Sequence, residues 1–176
     1  QMLELALQPV ATGLSDGPTD PQRHQQRQVT MSKLLALHAT SLVVQGKLSD
    51  AAEIARQPIA LGQAHAGGEG ETLGLISRAQ AIAHEHRFAE ARVLFEEALQ
   101  LVQRYQSQYP TSEVLAEAEL TAYEYLAILT HDMEGFQSGR VYLEQSLQLC
   151  QRLGKELSEQ EGHYALALLA YWSGEY

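Results

Sequence analysis

Several things are scarce in these 176 residues, and each scarcity excludes something. There is one cysteine, Cys150, so no internal disulfide can form, which fits a reducing, cytoplasmic setting. Val and Ile are few beside Ala and Leu, which argues against a strand-built fold. Basic residues are few: 12 Lys and Arg face 22 Asp and Glu, a formal net charge of −10. A sequence-independent nucleic-acid binder needs a basic face, and an anionic membrane surface also selects for one, so neither partner is expected. No apolar run approaches the roughly 18 residues that span a bilayer. The opening residues carry no charged segment followed by an apolar core, so they do not read as a secretory leader. The first residue is Gln1 rather than Met, and the chain reads as a piece of a longer protein.

What is abundant is Ala, Leu and Gln, all unbranched helix formers. The five prolines punctuate rather than pervade: Pro9, Pro18 and Pro21 lie near the start, Pro58 and Pro110 further on. The stretch Thr12–Asp20 (TGLSDGPTD) reads as a loop, and Asp20-Pro21 as a helix start with Asp at the N-cap. Helical periodicity then runs from about Gln22 to Gln45 and breaks at Gly46-Lys47. Ser49 caps a second helix, uninterrupted through Pro58 and Gly62, and the glycines of Gly67-Gly68-Glu69-Gly70 form an inter-repeat turn. Further helices are expected over about Glu71–His86, Phe88–Tyr109, Thr111 or Ser112 to His131, and Phe136–Gly154. Pro110 stops the fourth, and a capping-box pattern, Ser158-x-x-Glu161, opens a seventh that ends near Ser173.

A repeat underlies this order. A small residue midway along one helix is followed, at one fixed spacing, by a small residue early in the next: Ala39 and Ala51, Ala79 and Ala91, Ala127 and Gly139. Ala167 opens a fourth copy. The steps from Ala39 to Ala79 and from Ala127 to Ala167 are equal, and the step from Ala79 to Ala127 is longer. A turn element precedes each second small residue: Gly46-Lys47-Leu48, His86-Arg87-Phe88 and Glu134-Gly135-Phe136, with Gly174-Glu175-Tyr176 in the same place at the end. Glu4-Leu5-Ala6-Leu7-Gln8 aligns with Glu96-Glu97-Ala98-Leu99-Gln100, so the chain opens inside a repeat. Small residues at such positions let two antiparallel helices cross closely. No pair buries its apolar face alone, so the pairs are expected to stack. The expected fold is all-α, a right-handed α-solenoid of about seven helices. Residues 1–12 are the second helix of a preceding repeat, 13–21 a loop, 22–66, 69–109 and 111–154 three repeats, and 156–176 the first helix of a fourth.

The pattern resembles the tetratricopeptide repeat (TPR). The second copy carries Leu75, Ala79, Ile82, Phe88, Ala91, Phe95 and Ala98 in the motif's places, and the first carries Leu35, Ala39, Leu42, Gly46, Leu48, Ala51 and Ala55. The third carries Tyr123, Leu126, Ala127, Phe136, Gly139, Leu143 and Ser146. It departs in length, since these copies are longer than the TPR unit of about 34 residues. Pro58 stands at the motif's last Ala, and His38 and Arg78 stand at its Leu. Long, degenerate copies of this kind resemble the TPR-like tails of large bacterial signalling and transcription regulators. The resemblance implies that the first helix of each repeat lines a concave groove. The positions are Lys33, Ala36, Thr40 and Val43, then Leu73, Ile76 and Gln80, then Thr121, Glu124 and Ile128, then Tyr164, Leu168 and Tyr171. Mixed apolar and aromatic residues suit a helix or an extended segment lying in that groove. A clamp for a peptide's terminal carboxylates is not expected, because Lys33 is the one basic residue among these positions.

No strong catalytic or metal-binding motif stands out. His84 and His86 diverge by about 200° around a helix and do not chelate. His131-Asp132 reads as a helix C-terminus with a favourable dipole contact, and Cys150 as a buried structural thiol. The glycine run lacks the Lys-Ser/Thr of a phosphate loop. The acidic residues Glu96, Glu97, Glu113, Glu117 and Glu119 read as a solvated face. The expectation is therefore a non-enzymatic scaffold without cofactor or metal. It binds a protein, a peptide or flanking domains of its own chain. The alternatives are an oligomerisation or spacer solenoid, dimerising through exposed ends, and a small-molecule-sensing solenoid.

Overall fold

The computed structural model describes residues 21–65, 68–108 and 112–154. Among them all regular structure is helical: α1 (Pro21–Val44), α2 (Leu48–Ile54), α3 (Arg56–His65), α4 (Gly68–His84), α5 (Phe88–Gln106), α6 (Glu113–Glu134) and α7 (Phe136–Leu153). Here α2 and α3 are the halves of one interrupted helix. The segments expected over 1–12, 13–20 and 156–176, with the Ser158 capping box, lie outside the described residues. None of the described helices is long and apolar enough to cross a membrane.

Three expectations about helix boundaries need correction. Ser49 is not a cap: α2 already begins at Leu48, with Lys47 at its N-cap and no side-chain cap bond. The second helix is not continuous: it is interrupted at Ala55, just before Pro58. The proline has no N–H for the Ile54 carbonyl, and its ring crowds that carbonyl, so the ladder breaks one turn upstream. Pro58 then sits in the first turn of α3, where a missing N–H costs little. Nor is Gly68-Glu69-Gly70 a turn, for all three residues are already in α4. These glycines make room. A Cβ on Gly68 would collide with the Tyr105 ring, and one on Gly70 with the Ser32 hydroxyl.

The helices pack as sequential pairs, α1 with α2 and α3, α4 with α5, and α6 with α7. Each later first helix also packs on the pair before it: α4 on α1, α2 and α3, and α6 on α4 and α5. The main core lies among α4, α5 and α6, where Leu75, Ile82, Phe95, Val102, Leu115 and Leu126 are fully buried. Burying one such side chain contributes about 1.5–3 kcal/mol. Ala39, Ala51, Ala79, Ala91 and Ala127 are buried at the helix crossings. Cys150 is buried as well, in a small cluster with Leu120 and Leu149.

The sequence repeat recurs in the backbone. Gly46 has φ +72° and the Lys47 N–H donates to the Leu42 carbonyl at 2.9 Å. In the same place of the next copy, His86 has φ +61° and the Arg87 N–H donates to the Ile82 carbonyl at 3.2 Å. Each is the six-to-one bond that closes a helix through a left-handed residue. The third copy turns differently. There α6 runs on to Glu134, and Gly135, with φ +94°, donates to the His131 carbonyl at 2.9 Å. At the other end of α6, Ser112 Oγ accepts the Leu115 N–H at 3.2 Å, as an N-cap does.

Candidate binding groove

The first helices α1, α4 and α6 lie side by side, α4 in the middle, and the groove positions from Lys33 to Ile128 fall on them. Packing withdraws some of these. Ala36 is buried, and Ile76 is only 5 % exposed and belongs to the main core. Thr40 bonds across the helices, its hydroxyl 2.7 Å from that of Ser77, which also donates to the Leu73 carbonyl at 2.9 Å. Ser77 is itself wholly buried, so this is a satisfied polar joint between α1 and α4. Val43 packs beside Leu42, Ala51 and Ala81. Ala36, Thr40, Val43 and Ile76 therefore serve helix packing more than a ligand surface. What hides this from the sequence is that the packing partners lie in the next copy.

Lys33 is not a free cation in the groove either. Its ammonium pairs with Glu69 at the start of α4. Glu69 also accepts from Ser112 Oγ at 2.5 Å, so one carboxylate joins α1, α4 and the N-cap of α6. Burial pushes the Glu69 carboxyl up, but the hydrogen bonds from Lys33 and Ser112 and the Lys33 charge outweigh it, and its pKa lies below the ordinary value.

The remaining positions cluster on α4 and α6. Leu73, Gln80, Thr121 and Glu124 are half-buried, and Ile128 is 55 % exposed. Between them stands Tyr125, which sequence reasoning does not single out. Its ring stacks on Phe95 with centroids 5.0 Å apart, and its hydroxyl lies 3.5 Å from His84 Nε2. Burial raises the Tyr125 pKa, a hydrogen bond with Gln80 opposes that rise, and the Glu124 charge adds to it. The phenol is thus neutral and oriented from below by Phe95. The spacing Thr121, Tyr125, Ile128 is the available signal, since i, i+4 and i+7 share one helix face. Tyr164, Leu168 and Tyr171 lie outside the described residues.

Two buried carboxylates lie elsewhere, in equivalent places of successive copies. Glu71 stands to Ala79 in α4 as Glu119 stands to Ala127 in α6. Burial raises the Glu71 pKa, against a hydrogen bond with Gln63 and the Arg104 charge. Gln106 Nε2 donates to Glu119 Oε2 at 2.6 Å, so Glu119 is part of a buried contact and not of a solvated face. On the outer side, Arg92 bonds Glu96 at 2.8 Å and pairs with Glu134, tying α5 to the end of α6.

Among the described residues no group of three or more His, Cys, Asp or Glu is placed to hold a metal ion. Leu73 and Ile128 provide apolar contact, while Gln80, Thr121, Tyr125 and His84 provide hydrogen bonds and Glu124 one negative charge. Compared with known proteins, the chain matches no protein-family model and no curated protein.

Proposed function

We propose that this chain is a TPR-like right-handed solenoid acting as a non-catalytic scaffold, which holds a protein or peptide segment along α4 and α6. The single observation that carries the reading is the recurrence of one helix pair. The same left-handed turn, the same six-to-one bond and the same pair of buried alanines return from the first copy to the second. Pairs repeated in this way bury a continuous core and leave their first helices as a shared face. On that face a mixed stripe from Leu73 to Ile128 suits an extended segment with an apolar side chain and backbone groups to bond. The length of the copies, beyond that of the ordinary TPR unit, further supports a place in a larger signalling or transcription regulator of the bacterial type.

The test is a pull-down with the full chain against Leu73→Asp and Ile128→Asp. A partner retained by the parent and lost by both variants, with the helical content unchanged, supports the groove. Retention of every partner by both variants overturns it.

A further inference from the structure

One face of α1 carries two apolar side chains, Met31 and Leu34, that no described residue covers. Met31 is 40 % and Leu34 55 % exposed, and they border a shallow groove of about 450 Å³ with Arg23, Gln26, Arg27 and Thr30. The corresponding face of α4 is covered. In the register that carries Ala39 to Ala79, Leu34 corresponds to Gly74, and a Cβ built there would meet Pro58 and Ile59 at 3.0 Å and the Ala55 carbonyl at 3.2 Å. Met31 corresponds to Glu71, against whose Cβ Gly62 is pressed. So the helix preceding α4 crosses it at these two places, and α1 presents the same two places bare.

We propose that residues 1–12 of this chain cover the stripe. The occupant is identified by register. Glu4–Gln8 aligns with Glu96–Gln100 of α5, which puts Leu3, Ala6, Leu7 and Val10 at the positions of Phe95, Ala98, Leu99 and Val102. Of those four, Phe95, Ala98 and Val102 are fully buried and Leu99 is half-buried, so the segment is apolar where a covering helix must be. Carried back one further copy, Leu3, Ala6 and Leu7 stand where Ala55, Pro58 and Ile59 stand in the α2–α3 helix, and Val10 stands where Gly62 stands. The contacts seen at Gly74 and Glu71 then become Leu34 against Leu3, Ala6 and Leu7, and Met31 against Val10. The size exchange is consistent: Leu34 is large where Gly74 has no side chain, and it meets the small Ala6 where Gly74 meets Pro58. Glu71 against Gly62 becomes two apolar residues in contact. Ten residues separate Val10 from Pro21, a reach of up to about 33 Å, which lets the chain reverse and enter α1.

This inference rests on the stacking of pairs proposed above but not on the groove, so a result here leaves partner binding on α4 and α6 to be judged separately. The experiment uses the full chain with Cys150→Ala as background. Two double-cysteine variants, Leu7→Cys with Leu34→Cys and Val10→Cys with Met31→Cys, are oxidised at low protein concentration. A third pair, Leu7→Cys with Val93→Cys on the exposed side of α5, serves as control. The expected result is an intramolecular disulfide in both test pairs, seen by peptide mass, and none in the control. Disulfide-linked dimers overturn the assignment in favour of a second copy, and free thiols in both pairs overturn it outright. Leu34→Asp gives an independent reading without cysteines. It is expected to lower Tm well beyond Val44→Asp, which is more exposed at the end of the same helix, and equal Tm values for the two contradict the proposal.

Discussion

The backbones of Gly139 and Ala127 approach so closely that a Cβ on the glycine would stand 2.5 Å from the Ala127 carbonyl oxygen and 2.8 Å from His131 Cβ. This is where α7 crosses α6, at the third of the small-residue pairs. The first two pairs tolerate alanine on both sides, whereas the third crosses more tightly.

Gly139→Ala therefore sets helix propensity against space. Alanine gains about 1 kcal/mol of propensity in a helix. Forcing a methyl into packed backbone costs about 1–3 kcal/mol, and here the obstacle is a carbonyl that cannot swing away. The expected outcome is a Tm several degrees below the parent, measured by circular dichroism. A Tm equal to or above the parent contradicts the close crossing.

His86 holds a left-handed backbone, φ +61°, in the place that glycine fills at Gly46. A side chain there strains the backbone by about 1–2 kcal/mol. The ring recovers some of that by an edge contact with Phe88 at 5.7 Å. His86→Gly is expected to stabilise the chain by about 1 kcal/mol in urea unfolding. His86→Ala keeps the strain, loses the ring contact and should be less stable than His86→Gly. A parent more stable than His86→Gly speaks against the strained turn.

Glu69 and Glu71 should give opposite pH dependences. Burial raises the Glu71 pKa in the folded chain, so the native state holds that proton more tightly than the unfolded one. Its contribution is intact below the unfolded carboxylate value and is lost as pH rises through the raised native value. Glu71→Gln is expected to raise Tm at neutral pH, with the gain shrinking as the solution is made acidic. Glu69 is lowered, so its contribution is present above the unfolded value and is lost as pH falls through the depressed native one. Glu69→Gln is expected to lower Tm at neutral pH, with the loss shrinking in acid. Tm measured across the acidic range decides both, and a same-sign slope for the two variants rules the assignment out.

Ile76 and Ile128 are both expected groove positions, yet they differ sharply in exposure, 5 % against 55 %. Ile128→Asp should stay within about 0.5 kcal/mol of the parent, as surface changes do. Ile76→Asp buries an unpaired carboxylate and should abolish cooperative unfolding. Equal stabilities would place Ile76 on the surface after all.

Much of the helical architecture is legible in the sequence because its signals are local. The alanine spacing locates the crossings, Ser112 the cap of α6, and Gly46 the first turn. His86 as the counterpart of Gly46 is legible from register alone, although a histidine there hides the left-handed turn. The break at Ala55 is announced by Pro58 but masked by the apolar periodicity around it. The glycines of α4 mislead because a residue that makes room and a residue that turns the chain look alike in sequence. The site is less legible. Lys33 with Glu69, and Thr40 with Ser77, meet only when α1 lies on α4, and the whole of α2 and α3 separates the partners in sequence. Tyr125 belongs to the stripe because Phe95 on another helix supports its ring.

The joint at Glu69 has a mechanical consequence. Its two bonds differ in kind: the one to Lys33 is ionic and partly open to water, while the one from Ser112 is a hydroxyl bond whose donor carries no net charge. Dissolved salt screens the first and leaves the second. Ionic strength thus acts on one side of the carboxylate, weakening its tie to α1 while its tie to α6 stays, and the Thr40–Ser77 joint still holds α1 to α4.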